Sequence, residues 1–250
     1  MNITEIPNKD LHIAPAKMNL DNRLDKPSDP LPEPLPNSSF SMAICGSSGS
    51  GKTSLMSAIV TSKKKNGMRQ SYIKLFSKIV ICSPTLASFK SNIWGRIKNK
   101  YEKFDLQFLH ELEEIAQEQW ENDGKQTLCI MDDIGATLKR DRKTEMKLVS
   151  MLQNRRHMGL SVIILVQKWK DLPSGVRNNL TNVAIFRPKN NMESEAIFGE
   201  LLPMKKQLWD SIYDYVYDDS DKYNFLFVDM SLKVSPTYRY YKKFNQLLFD

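Results

Sequence analysis

The stretch that decides the fold is Phe40-Ser-Met-Ala-Ile-Cys45 followed by Gly46-Ser47-Ser48-Gly49-Ser50-Gly51-Lys52-Thr53. An apolar strand enters a glycine-rich loop, and a helix opens at about Lys52. Glycines let the backbone curl so that successive N–H groups point at phosphate oxygens, and the helix adds the positive end of its dipole. The stretch therefore predicts a phosphate-binding loop. Its predicted nucleotide contacts are Gly46, Ser47, Ser48, Gly49, Ser50, Gly51, Lys52, Thr53 and Ser54.

Two side chains at the end of this loop carry specific chemistry. Lys52 is placed to reach the β- and γ-phosphates, and the hydroxyl of Thr53 is placed on Mg²⁺. Such a loop also occurs by chance, but here a strand precedes it and a helix follows it, as phosphate binding requires. We therefore expect a nucleoside triphosphate and Mg²⁺ as ligands.

Two adjacent carboxylates follow another apolar strand, Thr127 to Met131. In open α/β sheets ligands bind at the carboxyl ends of the strands, which is where this strand delivers Asp132 and Asp133. Asp132 suits the role of holding Mg²⁺, directly or through water, and Asp133 that of polarising the attacking water. The alternative is that the two acids only cap a turn before Gly135.

A neutral amide, Gln167, follows the most hydrophobic strand of the chain, Ser161 to Val166. This strand end is predicted to reach the same edge of the sheet as the acids. An amide there can hydrogen-bond the γ-phosphate or the attacking water without changing the charge balance. A surface glutamine with no role in the site is the alternative.

Two arginines precede that strand, in Asn154-Arg155-Arg156-His157-Met158-Gly159-Leu160. They could contact phosphate or DNA within the same chain. They could instead form an arginine finger that completes the site of an adjacent subunit and stabilises transition-state charge. A plain solvated basic turn is the third interpretation. Arg177 and Arg187 are weaker candidates for the same task.

The wider pattern predicts an α/β fold. Continuous apolar strands alternating with helices favour a mostly parallel sheet covered by helices on both faces. Two more strands near the C-terminus are predicted as an antiparallel edge. The surrounding tyrosines are predicted to pack in the core and along that edge, with base stacking as the alternative. The predicted strands are 40–45, 78–82, 127–131, 161–166, 183–186, 225–229 and 237–241, and the predicted helices begin near 52 and cover 106–121 and 143–154.

The charge composition indicates the kind of partner that the chain binds. The chain has 250 residues and a formal net charge of +7, which is typical of proteins with a polyanionic partner. Basic clusters at 63–65 with Arg69, and at 139–143, fit a DNA track that ignores base sequence, or simply a solvated face. The three cysteines lie in apolar strands as expected of buried thiols, and the three histidines are too scattered to predict a zinc site.

Domain organisation follows from proline content and hydropathy. Residues 1–38 hold seven of the twelve prolines and are predicted to be a flexible arm or linker, or else a segment that orders on a neighbouring subunit. Residues 39–250 are predicted to be one P-loop domain, with a core at 39–190 and a C-terminal edge extension at 191–250. We expect no membrane span and an intracellular, unsecreted protein, because neither a long apolar run nor a secretory signal pattern is present.

The order of the elements indicates ATP hydrolysis. An extra strand, Lys78 to Cys82, lies between the phosphate loop and the acidic strand, and the acid pair supplies a candidate activator of water. No Asn-Lys-x-Asp motif of the kind that reads guanine is present in the sequence. These features favour the branch of P-loop proteins that hydrolyses ATP over kinases and GTPases.

Three blocks together resemble the FtsK/HerA superfamily, and within it the genome-packaging ATPases of poxviruses and other large double-stranded DNA viruses. They are Gly46 to Thr53, Ile130-Met-Asp-Asp133, and above all Asn154-Arg-Arg-His-Met-Gly-Leu-Ser-Val-Ile-Ile-Leu-Val-Gln167. The resemblance covers roughly residues 39 to 190. Many cellular members carry Asp-Glu where this chain has Asp132-Asp133, but viral packaging members tolerate Asp there.

The resemblance implies more than the residues alone do. It implies a RecA-like sheet, a homo-oligomeric ring that is a hexamer or pentamer, and ATP hydrolysis that moves double-stranded DNA into a capsid. By position, Arg156 with its neighbour Arg155 matches the arginine finger, and Gln167 matches the sensor. A capsid or portal-like partner, and a location in the infected host cell cytoplasm or the virion, follow from the same resemblance.

Two other function classes use the same loop. A nucleoside or small-molecule kinase would need an acceptor pocket and usually an arginine-rich lid, and the sequence shows no clear lid. A structural or regulatory module that binds nucleotide without hydrolysing it would not need the lysine, threonine and both carboxylates that are intact here.

Overall fold

A computed structural model of the chain describes residues 31–61, 72–86, 97–201, 204–217, 221–231 and 239–248. Within these ranges the strands form one sheet in the order β3-β2-β4-β5-β1-β6-β7-β8-β9. Its strands are β1 Ser41–Cys45, β2 Lys78–Cys82, β3 Asn99–Tyr101, β4 Thr127–Asp132, β5 Leu160–Val166, β6 Asn182–Phe186, β7 Phe225–Asp229, β8 Tyr240–Lys242 and β9 Asn245–Gln246.

The first six of these strands, β1 to β6, are parallel. β1 lies at the centre between β5 and β6, with Cys45 beside Val166 on one side and Ile185 on the other. β4 pairs with β5 and β2, and β3 forms the outer edge. The carboxyl ends of these strands therefore meet at one edge of the sheet, where the loops that follow β1, β4 and β5 are neighbours.

Helices connect the strands and cover both faces. The helices are α1 Lys52–Thr61, α2 Leu106–Asp123, α3 Gly135–Arg140, α4 Arg142–Asn154, α5 Ser174–Arg177, α6 Asn191–Leu201 and α7 Lys206–Tyr217. Alternate residues of β1 serve opposite faces: Met42 and Ile44 pack with α1, whereas Ala43 and Cys45 pack with α2, α4 and α7. Because successive side chains of a strand point to opposite faces of the sheet, an apolar core forms on each face.

The predicted fold class is confirmed, including the antiparallel strands near the C-terminus. β7 runs antiparallel to β6, and β8 to β7. β8 begins at Tyr240, whereas the predicted strand was 237–241, of which residues 237 and 238 lie outside the described ranges. Two short strands, β3 and β9, were not predicted because they are polar and lie on sheet edges, where hydropathy gives no signal.

The first described segment, residues 31–38, contacts the core. Leu31 is buried and packs in the same cluster as Phe40 and Met42, and Tyr72 donates from its hydroxyl to the carbonyl oxygen of Pro36 at 2.8 Å. Residues 1–30 of the predicted arm lie outside the described ranges. The boundary at residue 38 and the division at 190 stay predictions.

Two further sequence expectations concern burial. Cys45, Cys82 and Cys129 are buried free thiols, as expected of cysteines in apolar strands. None of the described helices combines the length and apolar character needed to cross a bilayer.

Candidate active site

The glycine-rich loop lies between β1 and α1 at the carboxyl edge of the sheet. The Gly46 N–H donates to the Val166 carbonyl at 3.1 Å, which fixes the start of the loop against β5. Within the loop, Ser50 N–H donates to the Ser47 carbonyl at 3.1 Å. Gly49 and Gly51 have φ angles of 76° and 104°, which L side chains rarely adopt. The loop therefore depends on glycine at both positions.

Close packing fixes a third glycine, Gly46. A Cβ atom at this position would lie 2.6 Å from Ser50 Oγ and 2.7 Å from Phe186 Cβ. Both distances are shorter than any normal contact, so a larger residue would force the loop or the end of β6 to move. The Ser50 hydroxyl is buried and has no hydrogen-bond partner among the described residues, as expected of a loop shaped to receive another group.

Lys52 folds back over this loop. Its Nζ donates to the carbonyl oxygens of Gly46 at 2.6 Å and Ser47 at 3.0 Å. Burial lowers the pKa of Lys52, while the negative charges of Asp132 and Asp133 act in the opposite direction. The ammonium group thus lies between the loop and the acidic strand, where a terminal phosphate bound by the loop would meet it.

The two carboxylates differ in their surroundings. Asp132 is the last residue of β4 and half-buried, and Ser83 at the end of β2 donates to its Oδ2 at 3.3 Å. Burial raises the pKa of Asp132, and the hydrogen bond from Ser83 opposes that rise. Asp133 is exposed, has φ 55°, and donates its N–H to the Leu165 carbonyl at 3.3 Å. Such a conformation is unfavourable for a residue other than glycine and is typical of functional sites.

Gln167 lies between these groups. It follows Val166, the last residue of β5, and is exposed. Because β5 is paired with β1 on one side and with β4 on the other, Gln167 emerges between the phosphate loop and Asp133. Lys52, Asp132, Asp133 and Gln167 thus share one sheet edge, as the sequence predicted.

The predicted magnesium ligands are Thr53 and Asp132. Thr53 is in the first turn of α1, and Asp132 presents a half-buried carboxylate that accepts a hydrogen bond from Ser83 Oγ at the long distance of 3.3 Å. Burial disfavours the charge of this carboxylate, and a bound divalent cation would offset that cost, so the donor set fits Mg²⁺. Among the described residues no group of three or more His, Cys, Asp and Glu side chains is placed to hold a metal ion by itself.

The two adjacent arginines, Arg155 and Arg156, differ in burial. Arg155 is half-buried: its Nε donates to the Ser39 carbonyl at 2.8 Å, and its Nη1 donates to the Leu152 carbonyl at 2.5 Å. Burial lowers the pKa of Arg155. Arg156 is exposed. Both lie before β5, at the edge of the sheet opposite to the phosphate loop.

The weaker arginine candidates are also placed. Arg177 pairs with both carboxylate oxygens of Glu200, from Nε at 2.6 Å and Nη2 at 2.8 Å, and covers the Trp169 ring. It is therefore engaged within the chain. Arg187 is exposed directly after β6, whose last residue, Phe186, contacts the phosphate loop.

The described basic cluster lies beyond the acidic strand, on α3 and at the start of α4. Lys139 pairs with Asp171 at 2.6 Å and Arg142 with Glu145 at 2.7 Å, whereas Arg140 and Lys143 are exposed on the same segment. The other predicted cluster, at 63–65 with Arg69, lies outside the described residues.

The structure adds residues that sequence reasoning missed. Ser83 contacts Asp132, and the charge of Lys189, after β6, is close enough to lower the pKa of Lys52. Ser83 could have been found, because it directly follows a predicted strand and so must reach the same sheet edge. Lys189 gives no such signal, since its position depends on the turn between β6 and α6.

Comparison with known proteins identifies the family. The family model described as poxvirus A32 protein matches residues 32–239, most of the chain. The chain belongs to the poxvirus A32 protein family. The predicted resemblance to the packaging ATPases of poxviruses is confirmed at this level, and the predicted class of enzyme, a packaging-type ATPase, with it. No curated protein matches the sequence of this A32-family chain.

Solved structures share the fold of the A32-family chain. The DNA-packaging ATPase B204 from Sulfolobus turreted icosahedral virus is 16% identical with a TM-score of 0.58, over 78% of this chain and 94% of that one. The genome-packaging NTPase B204 from Sulfolobus turreted icosahedral virus 2, in complex with ATP-gammaS, is 16% identical with a TM-score of 0.53, over 77% and 93%. The conjugation coupling protein TcpA of pCW3 is 14% identical with a TM-score of 0.56, over 86% and 62%.

Proposed function

We propose that this chain hydrolyses ATP and uses the energy to move double-stranded DNA into a viral capsid. The single observation that carries the proposal is the meeting of Lys52, Asp132 and Gln167 at one sheet edge in a chain of the poxvirus A32 family. The B204 relatives, one described as a DNA-packaging ATPase and the other as a genome-packaging NTPase, support the same function.

Each group at this edge has a distinct role in the proposed reaction. The backbone N–H groups of Gly49, Gly51 and their neighbours cradle the phosphates, and Lys52 moves from the loop carbonyls to the terminal phosphate. Asp133 orients and polarises the attacking water, and Gln167 hydrogen-bonds that water or the γ-phosphate. Positioned groups of this kind stabilise charge as it develops on the transferred phosphoryl group.

Magnesium completes the proposed site. Thr53 and Asp132 would hold Mg²⁺, which when bound neutralises charge on the β- and γ-phosphates. The half-buried Asp132 must be ionised for this role, and the neighbouring charge of Lys52 lowers its pKa in opposition to burial.

The arginine assignment requires a second subunit. The seven residues of β5, from Leu160 to Val166, separate Arg156 from Gln167 and span about 20 Å of extended chain. An arginine that far from the loop cannot reach the γ-phosphate of its own chain, so the in-chain phosphate contact is disfavoured. We assign the finger to the exposed Arg156, and we assign the engaged Arg155 to holding the end of α4 against Ser39.

A ring arrangement follows from that assignment. If Arg156 of each subunit faces the phosphate loop of the next, the same interface repeats until it closes, in a hexamer or pentamer. The formal charge of +7 suits duplex DNA as the polyanion that such a ring would hold, through contacts that ignore base sequence. A capsid or portal-like partner and assembly in the infected host cell cytoplasm or the virion complete the proposal.

The deciding experiment measures ATP turnover with and without duplex DNA, together with the mass of the assembly under the same conditions. We expect turnover that duplex DNA stimulates, in an oligomer. Added salt should reduce the stimulation, because counterion release drives non-specific binding to DNA. Phosphate transfer to a nucleoside in the absence of DNA would instead identify a kinase, and nucleotide binding without any turnover would identify a non-hydrolysing module.

A further inference from the structure

An exposed aromatic ring lies beside the phosphate loop. Tyr223 is in the turn before β7 and is 50% exposed, although it is a large aromatic side chain. Its Cδ1 atom is 3.1 Å from the position that a Cβ on Gly51 would occupy, so the ring touches the loop immediately before Lys52. The ring is thus against the start of α1, yet solvent reaches half of its surface.

The direction of a bound nucleotide can be read from the strand order. β5 and β4 lie on one side of β1 and carry Gln167, Asp132 and Asp133. Lys52, whose charge interacts with both carboxylates, orients the terminal phosphate toward that side. The nucleoside end must then leave the loop on the opposite side, over β6 and β7, which is the side of Tyr223.

The turn that carries Tyr223 is fixed before any ligand binds. Asp221 Oδ1 accepts from the Tyr223 N–H at 2.9 Å, and Lys243 pairs with the same carboxylate at 2.7 Å. The Asn224 N–H donates to the Asp221 carbonyl at 3.1 Å. The backbone that carries the ring therefore loses little further freedom when a ligand stacks on Tyr223.

We propose that Tyr223 is the residue on which the nucleobase of the bound nucleotide stacks. The inference rests on the proposed function, because it assumes that the loop binds a nucleoside triphosphate. Every base has a π-face, so stacking supplies affinity without selecting a base. Lys222 Nζ lies 5.1 Å from the ring centroid, an exposed contact that an incoming base can displace.

The test distinguishes the contribution of the nucleobase to binding from that of the phosphates. Binding of ATP-gammaS, and separately of inorganic tripolyphosphate, is measured by calorimetry with Mg²⁺ for the full chain and its variants. In Tyr223→Ala the dissociation constant for ATP-gammaS should rise roughly tenfold, the usual effect of removing one stacking partner. The dissociation constant for tripolyphosphate, which has no base, should stay unchanged. Tyr223→Trp should retain binding of ATP-gammaS.

Tyr215 is the matched control. It is 65% exposed and, like Tyr223, has a lysine over its ring, with Lys242 Nζ at 5.0 Å, but it lies on α7. Tyr215→Ala should bind both ligands as the wild type does. The stacking assignment is wrong if Tyr223→Ala binds ATP-gammaS as tightly as the wild type, or if it loses ATP-gammaS and tripolyphosphate equally. A wild-type chain that binds neither ligand would overturn the proposed function, and the stacking assignment with it.

Discussion

The ammonium group of Lys52 donates a hydrogen bond to the carbonyl oxygen of Gly46 at 2.6 Å, and these two residues lie at opposite ends of the phosphate-binding loop. The lysine therefore occupies the region that a phosphate would enter, and its hydrogen bonds within the loop must be exchanged for bonds to ligand oxygens. Charge-assisted hydrogen bonds to phosphate are stronger than those to a neutral carbonyl, so the exchange favours the bound state.

Replacing Lys52 by alanine should abolish ATP turnover. The charge that meets the terminal phosphate is lost, and removing one such group lowers catalytic rates by about 100-fold or more. Steady-state phosphate release measures the effect. Lys125→Ala is the control, because Lys125 is an exposed lysine that pairs with Asp123 before β4, at the opposite edge of the sheet. Equal turnover in Lys52→Ala and the wild type would show that Lys52 of this loop takes no part in ATP hydrolysis.

Replacing each of the adjacent arginines by alanine should affect stability differently. Arg155→Ala leaves the carbonyls of Ser39 and Leu152 without a charged donor and should lower the free energy of unfolding by about 2 kcal/mol. Arg156→Ala removes an exposed side chain and should change stability by less than about 0.5 kcal/mol. Urea denaturation of both variants gives the comparison.

Arg156→Ala should nevertheless bind nucleotide and lose turnover. If the finger acts between subunits, mixing Arg156→Ala with Lys52→Ala should restore part of the activity. In the mixed assembly an intact loop from one variant meets an intact arginine from the other. Neither variant alone can form such an interface. Normal turnover by Arg156→Ala on its own would show that the finger is another residue.

Much of this site could be predicted from sequence, because its parts follow apolar strands. Asp132 is the last residue of β4, Gln167 directly follows β5, and Lys52 follows the loop after β1. Parallel strands bring their carboxyl ends together, so these three residues share one edge of the sheet. The hydrogen bond from Arg155 to Ser39 joins residues 116 apart in the chain and could not be foreseen. Tyr223 reaches Gly51 only because β7 folds back beside β6, and no local pattern encodes that contact.

Gly46→Ala should damage the loop by crowding. The added Cβ would lie 2.7 Å from Phe186 Cβ, which belongs to a buried strand and cannot move freely. Overpacking of this kind typically lowers the free energy of unfolding by about 1–3 kcal/mol, and ATP binding should weaken as the loop shifts. Gly199→Ala is the control: Gly199 lies in α6, and no atom of the described residues comes within 4 Å of the added Cβ. Thermal unfolding of this control should show equal or slightly higher stability, because alanine favours a helix.

Asp132→Asn should abolish turnover and yet stabilise the fold at neutral pH. Burial raises the pKa of Asp132, so the folded chain binds this proton more tightly than the unfolded chain does. The carboxyl group therefore favours folding below its unfolded pKa, and that contribution is lost as the pH rises through the raised folded value. Above it the half-buried charge opposes folding, and asparagine removes this charge while keeping an oxygen that accepts from Ser83.

The pH dependence of the Tm distinguishes burial of the Asp132 charge from a general effect of losing a carboxylate. The Tm of Asp132→Asn should exceed that of the wild type at neutral pH, and the difference should shrink as the pH falls through the raised pKa. Asp105 gives the opposite case: its hydrogen bonds with Lys103 and the Phe108 N–H lower its pKa. Asp105→Asn should therefore lower the Tm at neutral pH, by an amount that shrinks in acid as the wild-type carboxylate becomes protonated. A Tm for Asp132→Asn at or below that of the wild type at neutral pH would show that the buried carboxylate does not oppose folding.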